Sequence, residues 1–280
     1  MSDNSNLPKF IYGTAWKEER TTQLVELALK SGFKAIDTAN QAKHYSENLV
    51  GRALKNAFDN KLITRKDIWL QSKFTSINGQ DHRLPYDANA DLTTQVKQSF
   101  DSSLKHLNID YLDSYLLHGP LNYPLLGEED FEIWSAMEEL YKEGKTKNIG
   151  ISNVNLKQLE ILTKNAKIKP VFVQNRCFSN TAWDKKVREF CKKQNIYYQG
   201  FSLLTANTHI LQLPQILQTA SKYNVNPAQI IFRFAHQIGM IPLTGTSNQN
   251  HMTSDLEIFD FKLSDQEMEF IEYCDYIKYY

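Results

Sequence analysis

A (β/α)8 barrel is the fold this sequence predicts, and three observations carry it. Short β-rich runs alternate with helical stretches, eight such pairs can be counted, and no Pro/Gly/Ser-rich linker or composition shift divides them. Strands that alternate with helices pair in parallel, because each helix returns the chain to the start of the next strand, and eight units close most economically as a barrel. A doubly wound open sheet is the competing architecture. At 280 residues the chain has the length of one barrel, which typically runs to roughly 250 residues as a single unit. Residues 1–280 are therefore read as one barrel domain, with residues 1–8 as an N-terminal tail.

The units run in order. KFIYG (residues 9–13) precedes RTTQLVELALKSG (20–32), KAID (34–37) precedes SENLVGRALKNAF (46–58), and IWLQS (68–72) precedes ADLTTQVKQSFDSSLKHL (90–107). LDSYLL (112–117) leads to EDFEIWSAMEELYKEG (129–144), and KNIGIS (147–152) to NLKQLEILTKNA (155–166). PVFVQN (170–175) is followed by WDKKVREFCKKQ (183–194) and IYYQGFS (196–202) by LPQILQTASKY (213–223); NPAQIIFRFAHQIG (226–239) then delivers the last strand, MIPLTG (240–245). Leu92, Val96, Phe100, Leu104 and Leu107 recur at helical spacing, as do Leu156, Leu159 and Leu162, so each set turns one apolar stripe to a common partner. Asn226 before Pro227 starts a helix that Gly239 ends. Leu263, Ser264, Glu267 and Met268 have the spacing of a hydrophobic staple with a capping box, which places a final helix at about residues 264 to 274.

Composition excludes several functions. The 32 basic residues balance 32 acidic ones, leaving no net field to attract nucleic acid or an anionic membrane. Cys177, Cys191 and Cys274 are odd in number and lack metal-ligand spacing, so neither a disulfide framework nor a zinc site is indicated. The seven histidines show no HExxH pattern, and no metal is expected. MSDNSNLPKF has no basic-then-apolar leader, and no apolar run reaches the roughly 20 residues that span a bilayer; a cytoplasmic protein is expected.

In a barrel of this kind, catalytic groups collect where strands end. Those ends read Gly13-Thr14-Ala15-Trp16, Asp37, Ser72-Lys73, Leu117-His118, Ser152-Asn153, Gln174-Asn175, Phe201-Ser202 and Thr244-Gly245-Thr246. Asp37, Lys73 and His118 end strands two, three and four, so they can converge with Tyr45 from the loop after strand two. Singly, each has an ordinary explanation: a helix cap, a lysine reaching water, a packed histidine, a surface hydroxyl. Together at successive strand ends they fit carbonyl reduction. When hydride reaches a carbonyl carbon the oxygen needs a proton, and a tyrosine can supply it if an ammonium draws its pKa, about 10 unperturbed, toward neutrality. Asp37 would keep the buried Lys73 charged, and His118 would orient the carbonyl oxygen.

These residues resemble the aldo-keto reductases over most of the chain, from YGTAW to about residue 260. AIDTA…SENLVGRAL resembles that family's Asp-Thr-Ala strand end with Glu-x-x-Val-Gly, QSKF its lysine strand, YLDSYLLHGP its histidine strand and KNIGISN its serine-asparagine pair; PVFVQN and YQGFSLL follow in order. The resemblance implies a TIM-barrel enzyme that reduces an aldehyde or ketone with NAD(P)H, its catalytic residues carried by Asp37, Tyr45, Lys73 and His118. It implies that Ser152, Asn153 and Gln174 hydrogen-bond the nicotinamide carboxamide and that Phe201 stacks on its ring. Thr14, Asp37 and Ser202 would lie near the ribose or pyrophosphate, and Thr246, His251 and Asp255 would complete the cofactor site. The family pattern also implies NADP(H) rather than NAD(H) and a small-molecule carbonyl substrate; a monomer is expected.

The chain departs from the pattern twice. The family's tyrosine falls five residues after the aspartate and three before the glutamate; here the segment is two residues longer, with Ala42 and His44 at those spacings. Tyr45, the only tyrosine in the window, is taken as proton donor, with His44 as its rival. After strand eight the family presents Lys-Ser and a later arginine for the adenosine 2'-phosphate, where this chain has Gly245, Thr246 and His251. The segment LLTANTHILQLP is short for a belt over the cofactor, which predicts an open pocket, with Trp16, Phe74, Tyr86 and residues of the loop TSINGQDHRLPYDANA (75–90) as candidate walls. Two other readings remain at this stage: a cofactor-binding adaptor of the same fold, and a phosphate-substrate isomerase or aldolase with Lys73 as Schiff base and TGTSN as an anion nest.

Overall fold

The structure, a computed structural model, describes residues 7–276. Its strands are β1 (Ile11–Gly13), β2 (Ala35–Asp37), β3 (Trp69–Phe74), β4 (Ser114–Leu117), β5 (Ile149–Ser152), β6 (Phe172–Arg176), β7 (Tyr197–Phe201) and β8 (Met240–Thr244). All eight pair in parallel with their sequence neighbours, and β8 returns to β1, closing the barrel. The open-sheet alternative is thereby overturned, since closure leaves no strand edge. Residues 1–6 of the expected tail lie outside the described residues; Leu7 packs against the apolar residues inside the barrel.

Among the described residues ten α-helices surround the barrel: α1 (Thr21–Ser31), α2 (Glu47–Asp59), α3 (Leu92–Leu107), α4 (Glu128–Lys142), α5 (Leu156–Asn165), α6 (Lys185–Gln194), α7 (Pro214–Tyr223), α8 (Pro227–Gln237), α9 (Gln249–Leu256) and α10 (Asp265–Tyr273). The sequence signals at their ends act as expected. Asn226 accepts from the Gln229 amide in a capping box ahead of Pro227, Ser264 does the same with Glu267, and Gly239 follows α8 with φ 88. Helix α9 escaped the sequence reading because it buries only Met252 and Asp255, too few for an apolar period; Asn248 caps it through the Asn250 and His251 amides.

The two-residue alternation of strands sorts the side chains. Ile36, Leu70, Tyr115, Leu117 and Val173 face outward into the main core under the helices, while Ile11, Ala35, Trp69, Leu116, Phe172, Ile241 and Leu243 form a separate apolar plug inside the barrel. Residues of that inward parity nearer the carboxyl end are Asp37, Gln71, Lys73, Gln174 and Gln199, all buried. The barrel interior is therefore apolar at its amino end and polar where the strands finish.

One close approach fixes the loop that carries Tyr45. Helix α2 crosses α3 at Gly51, where a Cβ would collide with the His106 carbonyl. Glu47, at the start of α2, is buried and accepts from Ser72 Oγ at 2.5 Å, with His106 Nδ1 3.3 Å from its other oxygen. Glu47 is thus a strut between α2, β3 and α3, outside the barrel. It anchors the loop rather than joining the chemistry.

Candidate active site

Strand β3 runs two residues further than the sequence reading placed it, which puts Lys73 inside the barrel with no exposed surface. Its Nζ donates to Asp37 Oδ1 (2.7 Å), Asp37 Oδ2 (2.6 Å) and the Thr38 carbonyl (3.0 Å). Asp37 Oδ1 also accepts from Gln71 Nε2 at 2.6 Å and Gln174 Nε2 at 3.0 Å. Gln199 closes the set, its Oε1 accepting from both glutamine amides at 2.9 Å while its Nε2 donates to Gln71 Oε1. Burial pulls the Lys73 ammonium down from its ordinary pKa, and the Asp37 carboxylate opposes that shift. With three acceptors around its amine, Lys73 has no free approach for a carbonyl carbon, which removes the Schiff-base reading.

Tyr45 and His118 stand over this pair. Their rings meet edge to face with centroids 5.9 Å apart, and Lys73 Nζ lies 5.3 Å from the centroid of the Tyr45 ring. The Tyr45 hydroxyl has no hydrogen-bond partner among the described residues. Burial, with Asp37's negative charge second, pushes the Tyr45 phenol well above its ordinary pKa, opposite to the lowering that the sequence argument expects from the ammonium. Desolvation outweighs Lys73 because that cation is already neutralised by Asp37. His118 is pushed down to about 3 by burial and then by the Lys73 and His44 charges, so its imidazole is neutral. Thr75 Oγ1 lies 2.7 Å from His118 Nδ1, which leaves Nε2 for a ligand.

A cavity of about 740 Å³ begins at Tyr45 and His118 and passes Ser152, Asn153, Gln174, Phe201 and Ser202 on its way to Thr246, His251 and Asp255. Ser152 Oγ donates to the Gln174 carbonyl at 2.7 Å, and Asn153 Nδ2 to the His118 carbonyl at 2.8 Å. Gln174 Oε1 and Asn153 Oδ1 have no hydrogen-bond partner among the described residues, so two acceptors remain for an incoming amide NH2 group. Beside them the Phe201 ring offers a flat apolar face. Trp16, Asn153 and Ser202 line the same space with positive φ values of 60, 53 and 56. Such backbone strain gathers at ligand sites in general.

Two members of the set do not line the cavity: Lys73, which lies beneath Tyr45, and Thr14. The Thr14 side chain is fully buried and its hydroxyl donates to the Asp37 carbonyl at 3.0 Å, tying β1 to β2. Phe74 and Tyr86, two candidate walls, pack on each other at 5.7 Å on the helix side of the barrel, whereas Trp16 does line the site. Asp255 is buried, accepts from Thr244 Oγ1 at 2.8 Å, and is pushed up to about 7 by burial.

Three residues were missed. Gln71 and Gln199 each lie two positions before a singled-out residue, Lys73 and Phe201, on the same strand face, so strand parity was the available signal. Lys17 gave no signal, lying in the loop after β1; its amine donates to the Gly245 carbonyl and brings a cation to the loop after β8, which has none of its own.

A family model for the aldo/keto reductase family matches residues 10–275. The chain belongs to the aldo/keto reductase family. Glyoxal reductase of Bacillus subtilis strain 168 is 32% identical to this aldo/keto reductase over 253 residues, 90% of this chain and 82% of the relative. The NAD(P)H-dependent 6'-deoxychalcone synthase of Glycine max is 31% identical, covering 90% of this chain and 80% of its own. Among solved structures, the aldo-keto reductase MGS-M4 from a Medee basin deep-sea metagenome library matches with a TM-score of 0.84 at 26% identity, covering 100% of this chain and 96% of its own. The chain is an oxidoreductase of this family.

Proposed function

We propose that this aldo/keto reductase converts an aldehyde or ketone to an alcohol with Tyr45 as proton donor. The observation that carries the reading is the meeting of Tyr45, His118 and the Lys73–Asp37 pair at one end of the cavity, with Ser152, Asn153, Gln174 and Phe201 next along its wall. The residues present fit a nicotinamide: the unpartnered Gln174 Oε1 and Asn153 Oδ1 suit its carboxamide, and Phe201 suits its ring. When bound, the reduced nicotinamide supplies the hydride to the carbonyl carbon.

The chain's own part is to hold the carbonyl and deliver a proton. The raised Tyr45 pKa keeps the phenol protonated at neutral pH, so the acid is loaded. As the carbonyl oxygen gains charge, Tyr45 gives up its proton, and Lys73 stabilises the phenolate left behind while Asp37 holds Lys73 charged. The Thr75 hydroxyl, donating to His118 Nδ1, would leave Nε2–H to orient the carbonyl oxygen. His44 is the less suitable donor, because its Nδ1 faces Gln41 Oε1 at 2.9 Å and its pKa is held below the usual histidine value, chiefly by burial, so the protonated ring is scarce at neutral pH. Tyr45→Phe is expected to cut kcat by about 100- to 10,000-fold while cofactor affinity, read by fluorescence titration, is unchanged. Wild-type turnover in that variant would move the acid elsewhere.

For the donor, the reading is NADP(H) over NAD(H), supported by Lys17, Thr246 and His251 around the first turn of α9. Without an arginine fork the preference should be modest. Equal kcat/KM for NADPH and NADH would overturn it. The same reading takes the chain as a single-domain monomer acting in the cytoplasm, supported by its free cysteines; among the described residues no helix is long and apolar enough to cross a membrane.

A further inference from the structure

The longer loop between β2 and α2 does more than move the tyrosine. It places Gln41 and His44 against a second cavity of about 400 Å³ that shares Trp16, Tyr45, His118 and Asn153 with the larger one. This smaller space lies beside the acid, where the remainder of a carbonyl compound would sit. Its other polar lining includes Ser76 and Asn78, whose side chains, like His44 Nε2, make no hydrogen bond among the described residues.

The protonation of His44 follows from its neighbours. Gln41 is buried, and its Nε2 lies 2.6 Å from the Gly79 carbonyl, which can only accept. Gln41 Oε1 must therefore face His44 Nδ1, at 2.9 Å, and accept its proton. A neutral imidazole carries one N–H, so Nε2 is left as a bare acceptor. The ring is fixed in place as well: Trp16 packs over it with centroids 4.0 Å apart, and the Trp16 amide donates to the His44 carbonyl at 2.8 Å. Burial and the neighbouring Lys43 favour the neutral ring.

We propose that His44 is a specificity-determining residue, whose Nε2 accepts a hydrogen bond from a hydroxyl carried near the carbonyl of a short, hydroxylated substrate. Ser76 and Asn78 supply further polar contacts for such a compound. An acceptor fixed by its own hydrogen bond needs no reorganisation to receive a hydroxyl, and it is left unpaired when an alkyl group takes that place. The inference rests on the carbonyl-reductase reading above.

The test compares kcat/KM for matched pairs, glycolaldehyde with acetaldehyde and glyceraldehyde with propionaldehyde, in the wild type, His44→Phe and Gln41→Leu. The wild type is expected to favour the hydroxylated member of each pair by about tenfold, the worth of one good hydrogen bond. His44→Phe, which keeps a ring for Trp16 but has no acceptor, should bring the ratio close to one. Gln41→Leu, which frees the tautomer, should reduce the ratio by about threefold. A wild type that reduces aldehydes without favouring the hydroxylated member, or a ratio that survives His44→Phe, overturns the inference while the reductase reading stands. A wild type that turns over none of the four with either cofactor sinks both. If His44→Phe does not fold, an unchanged ratio in Gln41→Leu is itself enough to overturn the role.

Discussion

Each end of the barrel buries an aspartate against a lysine. At the carboxyl end Asp37 meets Lys73, whose side chain has no solvent exposure, and the remaining hydrogen bonds of the two side chains are with buried amides and a carbonyl. At the amino end Asp113 is bound by Lys147 at 2.9 Å, by Arg65 at 2.8 Å and by the Leu70 amide, yet the Lys147 side chain is 53% exposed. Water screens the second pair and competes for its cation, whereas the Lys73 amine is sealed from it. The same two residue types thus make a surface clamp at one end and a preorganised charged group at the other. Each lysine also stands over a tyrosine ring, Lys73 Nζ 5.3 Å from the Tyr45 centroid and Lys147 Nζ 4.4 Å from that of Tyr111, but only the first does so with its amine away from solvent, which leaves its field unscreened.

Breaking the pairs one at a time sharpens this contrast. Lys73→Met would leave Asp37 buried without its counter-charge, and we expect a loss of about 3–5 kcal/mol by denaturant titration together with loss of turnover. Replacing both residues, Asp37→Asn with Lys73→Met, should recover much of the stability and none of the activity. A stable Lys73→Met protein would mean that water enters the polar end after all.

A pH titration isolates the next effect. His118 titrates at about 3 in the folded chain, against roughly 6.5 for an unfolded histidine. Between those values the unfolded chain binds the extra proton, so stability is full above the upper one and falls as pH drops through the window. His118→Gln should remove up to about 1.4 kcal/mol per pH unit from the slope of unfolding free energy between pH 6 and pH 4. An identical slope in the two proteins would mean that burial does not lower the His118 pKa. The smallest effect belongs to the amino end: Lys147→Met should cost at most about 1 kcal/mol and leave kcat/KM unchanged.

Much of this arrangement was legible in advance. The eight strands could be read because each is a short apolar run flanked by turn residues, and Asn226-Pro227 and Ser264-x-x-Glu267 mark helix starts through purely local hydrogen bonds. Asp37, Tyr45, Lys73 and His118 stood out as polar residues at strand ends, and the structure brings those four together. The errors share a cause. Thr14 and Phe74 were placed by their nearness to strand ends and Tyr86 by its loop, but whether a side chain faces the cavity depends on strand parity and on which backbone carbonyl lies within reach. Gln71 and Gln199 were passed over because a glutamine in a strand carries no signal until the opposite wall of the barrel is known. Helix α9 was hidden because it packs few apolar residues.

By itself the sequence determined the alternation of strands and helices, the caps that bound them and the identity of the titratable groups at the strand ends, since each depends on residues a few positions apart. Only the tertiary structure decided how those groups titrate. Closure of the barrel excludes water around Lys73, gives Asp37 two glutamines from distant strands and raises the Tyr45 phenol where an isolated ammonium would lower it. It likewise fixed which nitrogen of His44 carries the proton, through a glutamine anchored on the Gly79 carbonyl. Desolvation and hydrogen-bond direction are properties of the surroundings in space, and no spacing along the chain encodes them directly.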